Sequence, residues 1–168
     1  MKRPQHEHNT KDDFRTPMYL INYLKRHFGE GLRDGACSPE NMKGEPFNVF
    51  SDDSMLKGEW LYINPPYDTP SIIRFIRAAV LHSEKGHDVV FLIPNKLCQK
   101  EWCLHINQHF DEIMCLGGRV NFESPYAVKG GSSMNGCFFG IIYGDLSKKN
   151  EHPRMSFKTL KSIKGLVE

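Results

Sequence analysis

Residues 59–93, EWLYINPPYDTPSIIRFIRAAVLHSEKGHDVVFLI, decide the fold. Two short apolar runs, EWLYI (59–63) and DVVFLI (88–93), flank a stretch from about 70 to 85 that has helical periodicity and opens on Thr69-Pro70. The second run is apolar throughout, as expected of a parallel strand covered on both faces. Strand, helix, strand in this span predicts a three-layer α/β fold with a mainly parallel sheet. In such sheets ligands bind beyond the carboxyl ends of the strands. The first strand ends there on Asn64-Pro65-Pro66-Tyr67, although proline cannot donate to a ladder and stops a strand.

Outward from this unit the same alternation continues. TPMYLINYLKRHFG (16–29) predicts a helix with Thr16 as N-cap, Pro17 at the first position, an apolar stripe at 20, 21, 24 and 28, and Gly29 as terminator. A very short strand is expected at 32–34, another at FNVF (47–50), a helix at 98–110 and a strand at 112–116. The stretch 121–136 is rich in glycine and serine and reads as a loop. CFFGIIYG (137–144) reads as the last core strand, and a basic tail occupies 145–168. Residues 1–12 are polar and expected to be mobile. No repeat or domain boundary is visible, so 1–168 reads as a single domain.

Composition narrows the function classes. With 22 Lys and Arg against 20 Asp and Glu, the net charge of +2 does not by itself demand a nucleic-acid partner. Five cysteines without C-x-x-C spacing point to free thiols in a reducing compartment. Cys98, Cys103 and His105 have poor ligand spacing and read as helix residues, so no metal is expected. The N-terminus lacks the apolar core of a signal peptide, and the longest apolar runs are too short to cross a bilayer. A cytoplasmic protein is the expectation.

The chemistry lies in Asn64 to Tyr67. The Asn64 amide oxygen is an acceptor, the two prolines hold nearby carbonyls rigidly, and Tyr67 offers a flat face. Converging acceptors beside an aromatic ring suit a planar, conjugated amine. Accepting both amine hydrogens, at Asn64 and at the Pro65 carbonyl, favours a pyramidal nitrogen whose lone pair can attack an electrophilic carbon. A base amine within a duplex reaches such a pocket only when flipped out, and stacking on Tyr67 offsets part of the unstacking cost. The bland alternative is a proline-rich turn capping a strand.

These residues resemble the S-adenosylmethionine-dependent methyltransferases that act on amino groups, and in particular the short phage-type, Dam-like DNA N6-adenine methyltransferases. DFRTP (13–17), RDGACSPEN (33–41), NPPYD (64–68), VVFLIPN (89–95), Trp102 and GGRVNF (117–122) follow the family's order over most of 12–143. The glycine-rich cofactor loop of larger methyltransferases is absent, and residues 34–39 read Asp-Gly-Ala-Cys-Ser-Pro. The resemblance implies a compact Rossmann-like methyltransferase fold, S-adenosylmethionine as cofactor, DNA (double-stranded) as partner, and adenine N6 as acceptor. A role in restriction-modification or in regulation would go with it.

By the same resemblance Asn64, Pro65, Pro66 and Tyr67 are catalytic. Phe14, Thr16 and Pro17 lie by the cofactor's methionine end, Asp34 and Ala36 near its ammonium or ribose, and Asp52 or Asp53 by its adenine. For nucleic acid the candidates are Arg119 and Lys129 around the base, with Lys158 and Lys161 on the tail, where lysines 158, 161 and 164 would line one face of a helix. A solvated helix face explains those lysines equally well. Other acceptors (cytosine N4, an RNA base, a protein glutamine) and a non-catalytic binding module remain as alternatives.

Overall fold

The computed structural model describes residues 15–38, 41–51, 53–96, 99–123 and 133–167, with backbone alone at Ser133. Helix α1 (Met18–Phe28) leads to strands β1 (Leu32–Asp34), β2 (Glu45–Pro46) and β3 (Trp60–Ile63). Helix α2 (Thr69–Glu84), β4 (Val89–Pro94), α3 (Lys100–His109), β5 (Glu112–Asn121), β6 (Ser133–Ile142), β7 (Arg154–Thr159) and α4 (Leu160–Val167) follow. The strands form one sheet in the order β2-β1-β3-β4-β6-β5-β7. Only β6 runs against the rest, pairing antiparallel with both β4 and β5. The sheet is therefore mainly parallel, as the βαβ reading requires.

Alternation along the central strands builds two cores. Trp60, Tyr62, Val90 and Leu92 face α1 and α4, where Leu20, Ile21, Leu24, Leu160 and Ile163 cover them. Leu61, Ile63, Val89, Phe91 and Ile93 face α2 and α3, against Ile72, Ile76, Trp102 and Ile106. Both faces of β3 and β4 are buried, which is why their sequences are continuously apolar.

Three expectations are corrected. FNVF is not a strand: β2 is Glu45–Pro46, and Asn48 then turns the chain, its Oδ1 accepting from Phe50 N–H at 3.1 Å and its carbonyl from Ser51 N–H at 2.9 Å. Asparagine competes with a ladder in this way, and the apolar Phe47 and Val49 still reach the core. The strands flanking the glycine-rich stretch run further than expected, β5 to Asn121 and β6 back to Ser133. CFFGIIYG is not the last strand either. The tail supplies β7, parallel to β5, and only then α4, so Phe157 and Lys158 lie on a strand rather than a helix. Leu160 and Ile163 of α4 are core residues.

The two Thr-Pro openings differ. At α2, Asp68 is the N-cap, its carboxylate accepting from Ser71 N–H at 2.9 Å. At α1 the N-cap is Pro17, with no side-chain cap, and the expected capping residue Thr16 turns its hydroxyl elsewhere. Gly29 does terminate α1, at φ +93°, where a side chain would be strained. Among the described residues no helix is long and apolar enough to cross a membrane.

Candidate active site

The chain leaves β1 for β2 on one side and comes back to β3 on the other. Such a reversal opens a crevice at the carboxyl ends of β1 and β3. Asp34 closes β1 and Asn64 follows β3, so the crevice has one at each lip.

Asn64 is half-buried and held from both sides. The Tyr67 hydroxyl donates to its Oδ1 at 2.6 Å, and its Nδ2 donates to Thr16 Oγ1 over a long 3.4 Å. Thr16 Oγ1 shares a second hydrogen bond, of 2.7 Å, with Tyr62 Oη. A separation of 2.6 Å belongs to O–H···O rather than N–H···O, so the amide edge facing Tyr67 is its oxygen. That oxygen keeps one lone pair uncommitted by Tyr67.

Tyr67 is half-buried, touches both cores, and meets Phe122 edge to face at 6.4 Å between centroids. Burial pushes the Tyr67 and Tyr62 hydroxyls well above the ordinary tyrosine range, so both keep their protons and neither is a base. Pro65 is buried and Pro66 half-buried. Trp102, the isolated tryptophan of α3, steadies the far end of the turn: its Nε1–H donates to Thr69 Oγ1 at 3.0 Å.

Asp34 is 4% exposed and accepts from Lys43 N–H at 2.9 Å and from Ala36 N–H at 3.3 Å. Burial raises its pKa above the usual carboxylate value, while these hydrogen bonds and the Lys43 charge pull the other way. A small polar cavity of about 10 Å³, bounded by Thr16, Asp34, Asn41, Lys43, Tyr62 and Asn64, lies between the two lips. Ala36 lines both this cavity and a larger one of about 510 Å³, walled by Phe47, Asn48, Phe50, Pro66 and Phe75. The larger cavity has the volume and aromatic lining that suit a planar heterocycle, with Asn48 able to hydrogen-bond to it.

The remaining candidates scatter. Pro17 is buried at the head of α1. Asp53 is exposed, hydrogen-bonded to Ser51 Oγ at 2.8 Å, and does not line the large cavity. Arg119 is exposed on β5, its Nε donating to Asn135 Oδ1 on β6 at 3.2 Å. Lys158, opposite Leu116, and Lys161 are both exposed. Phe14, Asp52 and Lys129 lie outside the described residues. The sequence reading missed Asn41, Lys43, Tyr62, Phe47, Asn48, Phe50 and Phe75. Asn41 closes the RDGACSPEN stretch, and Tyr62 carried a signal as well, since a tyrosine in a fully buried strand needs a partner for its hydroxyl.

A family model described as DNA N-6-adenine-methyltransferase (Dam) matches residues 4–168. The chain belongs to this family. Among curated proteins, none matches it at a significant level. A solved structure of a Listeria monocytogenes protein, provisionally described as a class I S-adenosylmethionine-dependent methyltransferase, is similar at a TM-score of 0.51 and 11% identity. The match covers 95% of this chain and 69% of that one, and it shows the fold. The cofactor that goes with the Dam family is S-adenosylmethionine, and the residues present fit it. Asp34 offers a buried carboxylate, the charge an ammonium needs, and the cavity beyond Ala36 has the room and aromatic walls a purine needs.

Proposed function

We propose that this Dam-family chain methylates the N6 amine of adenine in double-stranded DNA, on a base turned out of the helix. The observation that carries the reading is the Asn64 carboxamide, fixed by two hydroxyls at the lip of a crevice whose other lip is a buried carboxylate. When bound, S-adenosylmethionine supplies a sulfonium-activated methyl group. Asn64 uses its remaining lone pair to accept one amine hydrogen, and the Pro65 carbonyl accepts the other. Both bonds strengthen as the nitrogen becomes pyramidal and cationic, so they stabilise the transition state more than the ground state. The new N–C bond forms as the S–C bond breaks, and one nitrogen proton leaves to water.

Tyr67 serves as the stacking platform. Its ring is already held by Phe122 and its hydroxyl by Asn64, so little side-chain entropy remains to be lost when a base lies on it. Asp34 receives the cofactor's ammonium, and the cavity walled by Phe47, Phe50 and Phe75 takes its adenine. Arg119 and Lys129 close around the flipped base, and Lys158 and Lys161 meet phosphates. For the described members of this set, the topology supports the reading: β5 and β7 are parallel to β4, so their carboxyl ends share the edge that bears Asn64.

The test is the identity of the product. Pure protein with isotopically labelled S-adenosylmethionine is incubated separately with unmethylated duplex DNA, RNA and a glutamine-containing peptide, and products are resolved by mass spectrometry. Labelled N6-methyladenine from the DNA is expected. Labelled N4-methylcytosine, methylated RNA or methylated peptide instead would overturn the substrate.

A further inference from the structure

We infer that Thr16, backed by Tyr62, is a positioning residue for the Asn64 carboxamide rather than a ligand of the cofactor. The inference rests on the catalytic role proposed for Asn64. Thr16 is 2% exposed and, among the described residues, hydrogen-bonds to Tyr62 Oη at 2.7 Å and to Asn64 Nδ2 at 3.4 Å. The polar cavity beside it, at about 10 Å³, has room for about one water molecule. The Thr16 hydroxyl is thus committed on the inside of the site.

What the commitment accomplishes follows from the symmetry of an amide. Rotation of the Asn64 side chain by half a turn exchanges Oδ1 and Nδ2 and would present a donor to the substrate amine. An amine pair facing an amide N–H cannot be oriented for attack. Tyr67 donates to the oxygen edge and Thr16 accepts from the nitrogen edge, and a Thr16 hydroxyl that gives its own proton to Tyr62 can only accept from Asn64, which favours the orientation with a free oxygen lone pair. Tyr62, with 1% of its surface exposed, fixes Thr16 from the core. The chain Tyr62–Thr16–Asn64–Tyr67 joins residues 46 and 48 positions apart in sequence, linking the approach to α1 with the end of β3.

The test separates positioning from cofactor binding. Thr16→Val keeps shape and removes the hydroxyl, Thr16→Ser restores it, and Tyr62→Phe removes the support behind it. Loss of one orienting hydrogen bond is expected to lower kcat of Thr16→Val by about tenfold and that of Tyr62→Phe by about threefold. Calorimetric affinity for S-adenosylmethionine should stay within about twofold of wild type, and Thr16→Ser should recover most of kcat. A second readout needs no turnover: the Asn64 side-chain amide signals in ¹⁵N NMR, assigned by their loss in Asn64→Ala, should shift in both Thr16→Val and Tyr62→Phe.

Weakened cofactor binding in Thr16→Val with kcat preserved at saturation would overturn the inference and make Thr16 a cofactor ligand. Unmoved amide signals would overturn it as well. Should the wild-type chain transfer no methyl group, the proposed activity falls, and the amide signals still decide the positioning role by whether they shift.

Discussion

Asp34 is a carboxylate kept in a place that disfavours its charge. Burial raises its pKa above the ordinary 3.8. The group therefore contributes stability below pH 3.8, and that contribution is lost as pH climbs through the folded-state value. At neutral pH its ionised form opposes folding, a perturbation of the kind found where a site holds a charged ligand, as proposed for Asp34. An ammonium-bearing cofactor reverses the preference. Acidification through the raised pKa should weaken S-adenosylmethionine binding by about tenfold per pH unit, and the dependence should flatten in Asp34→Asn. A calorimetric series against pH checks both, and a flat wild-type profile would remove Asp34 from the cofactor site. Tyr67 divides into two roles at the same scale. Tyr67→Phe should keep DNA affinity and lose about tenfold in kcat, because only the bond to Asn64 Oδ1 is gone. Tyr67→Ala should also weaken base extrusion, by about 1–3 kcal/mol, read by the fluorescence of 2-aminopurine at the target position.

Among the elements, the short loop between β1 and β2 sets the spacing of the site, because Lys43 N–H in it binds Asp34. The loop closes on β1 at Gly44, where an added Cβ would meet the Leu32 carbonyl oxygen at 2.6 Å. Gly44→Ala should therefore cost about 1–3 kcal/mol in urea unfolding and weaken cofactor binding with it. Unchanged values would mean that the loop has slack. This loop shows where the sequence was readable and where it was not. Helices α1 and α2 and strands β3 and β4 were legible because their apolar periodicity is strong and both sheet faces are covered. FNVF has strand-forming residues, yet Asn48 supplied a competing turn. Strand β7 was hidden because it is an edge strand whose Met155 and Phe157 stay 60% and 66% exposed, leaving no buried alternation to detect. Asn64 and Tyr67 stood out as a local motif. The Thr16–Tyr62 contact did not, because nothing local encodes a pair 46 positions apart.

For the whole molecule, the decisive feature is that every strand but β6 sends its carboxyl end to one edge. Asp34, Asn64, Arg119 and Lys158 thereby lie toward the carboxyl side of the sheet, spread along it on or after different strands. With a net charge of only +2, the proposed DNA contacts rely on this arrangement rather than on overall charge. DNA affinity should fall with salt, with a log–log slope of roughly 0.9 per phosphate contact. Lys158→Ala and Lys161→Ala should each reduce that slope by about 1 without changing which base is methylated. Fluorescence anisotropy at several salt concentrations measures it, and slopes equal to wild type would mark those lysines as a solvated face.

The role of Asn64 is tested most directly by comparing Asn64→Ala with wild type in two assays on the same preparations: labelled methyl transfer to unmethylated duplex DNA, and calorimetric binding of S-adenosylmethionine. Transfer should fall by about a hundredfold or more while cofactor affinity stays near wild type, because Asn64 acts on the amine. Transfer that survives the substitution, or cofactor binding lost in step with it, would show that Asn64 does not act on the amine and return Asn-Pro-Pro-Tyr to the status of a turn.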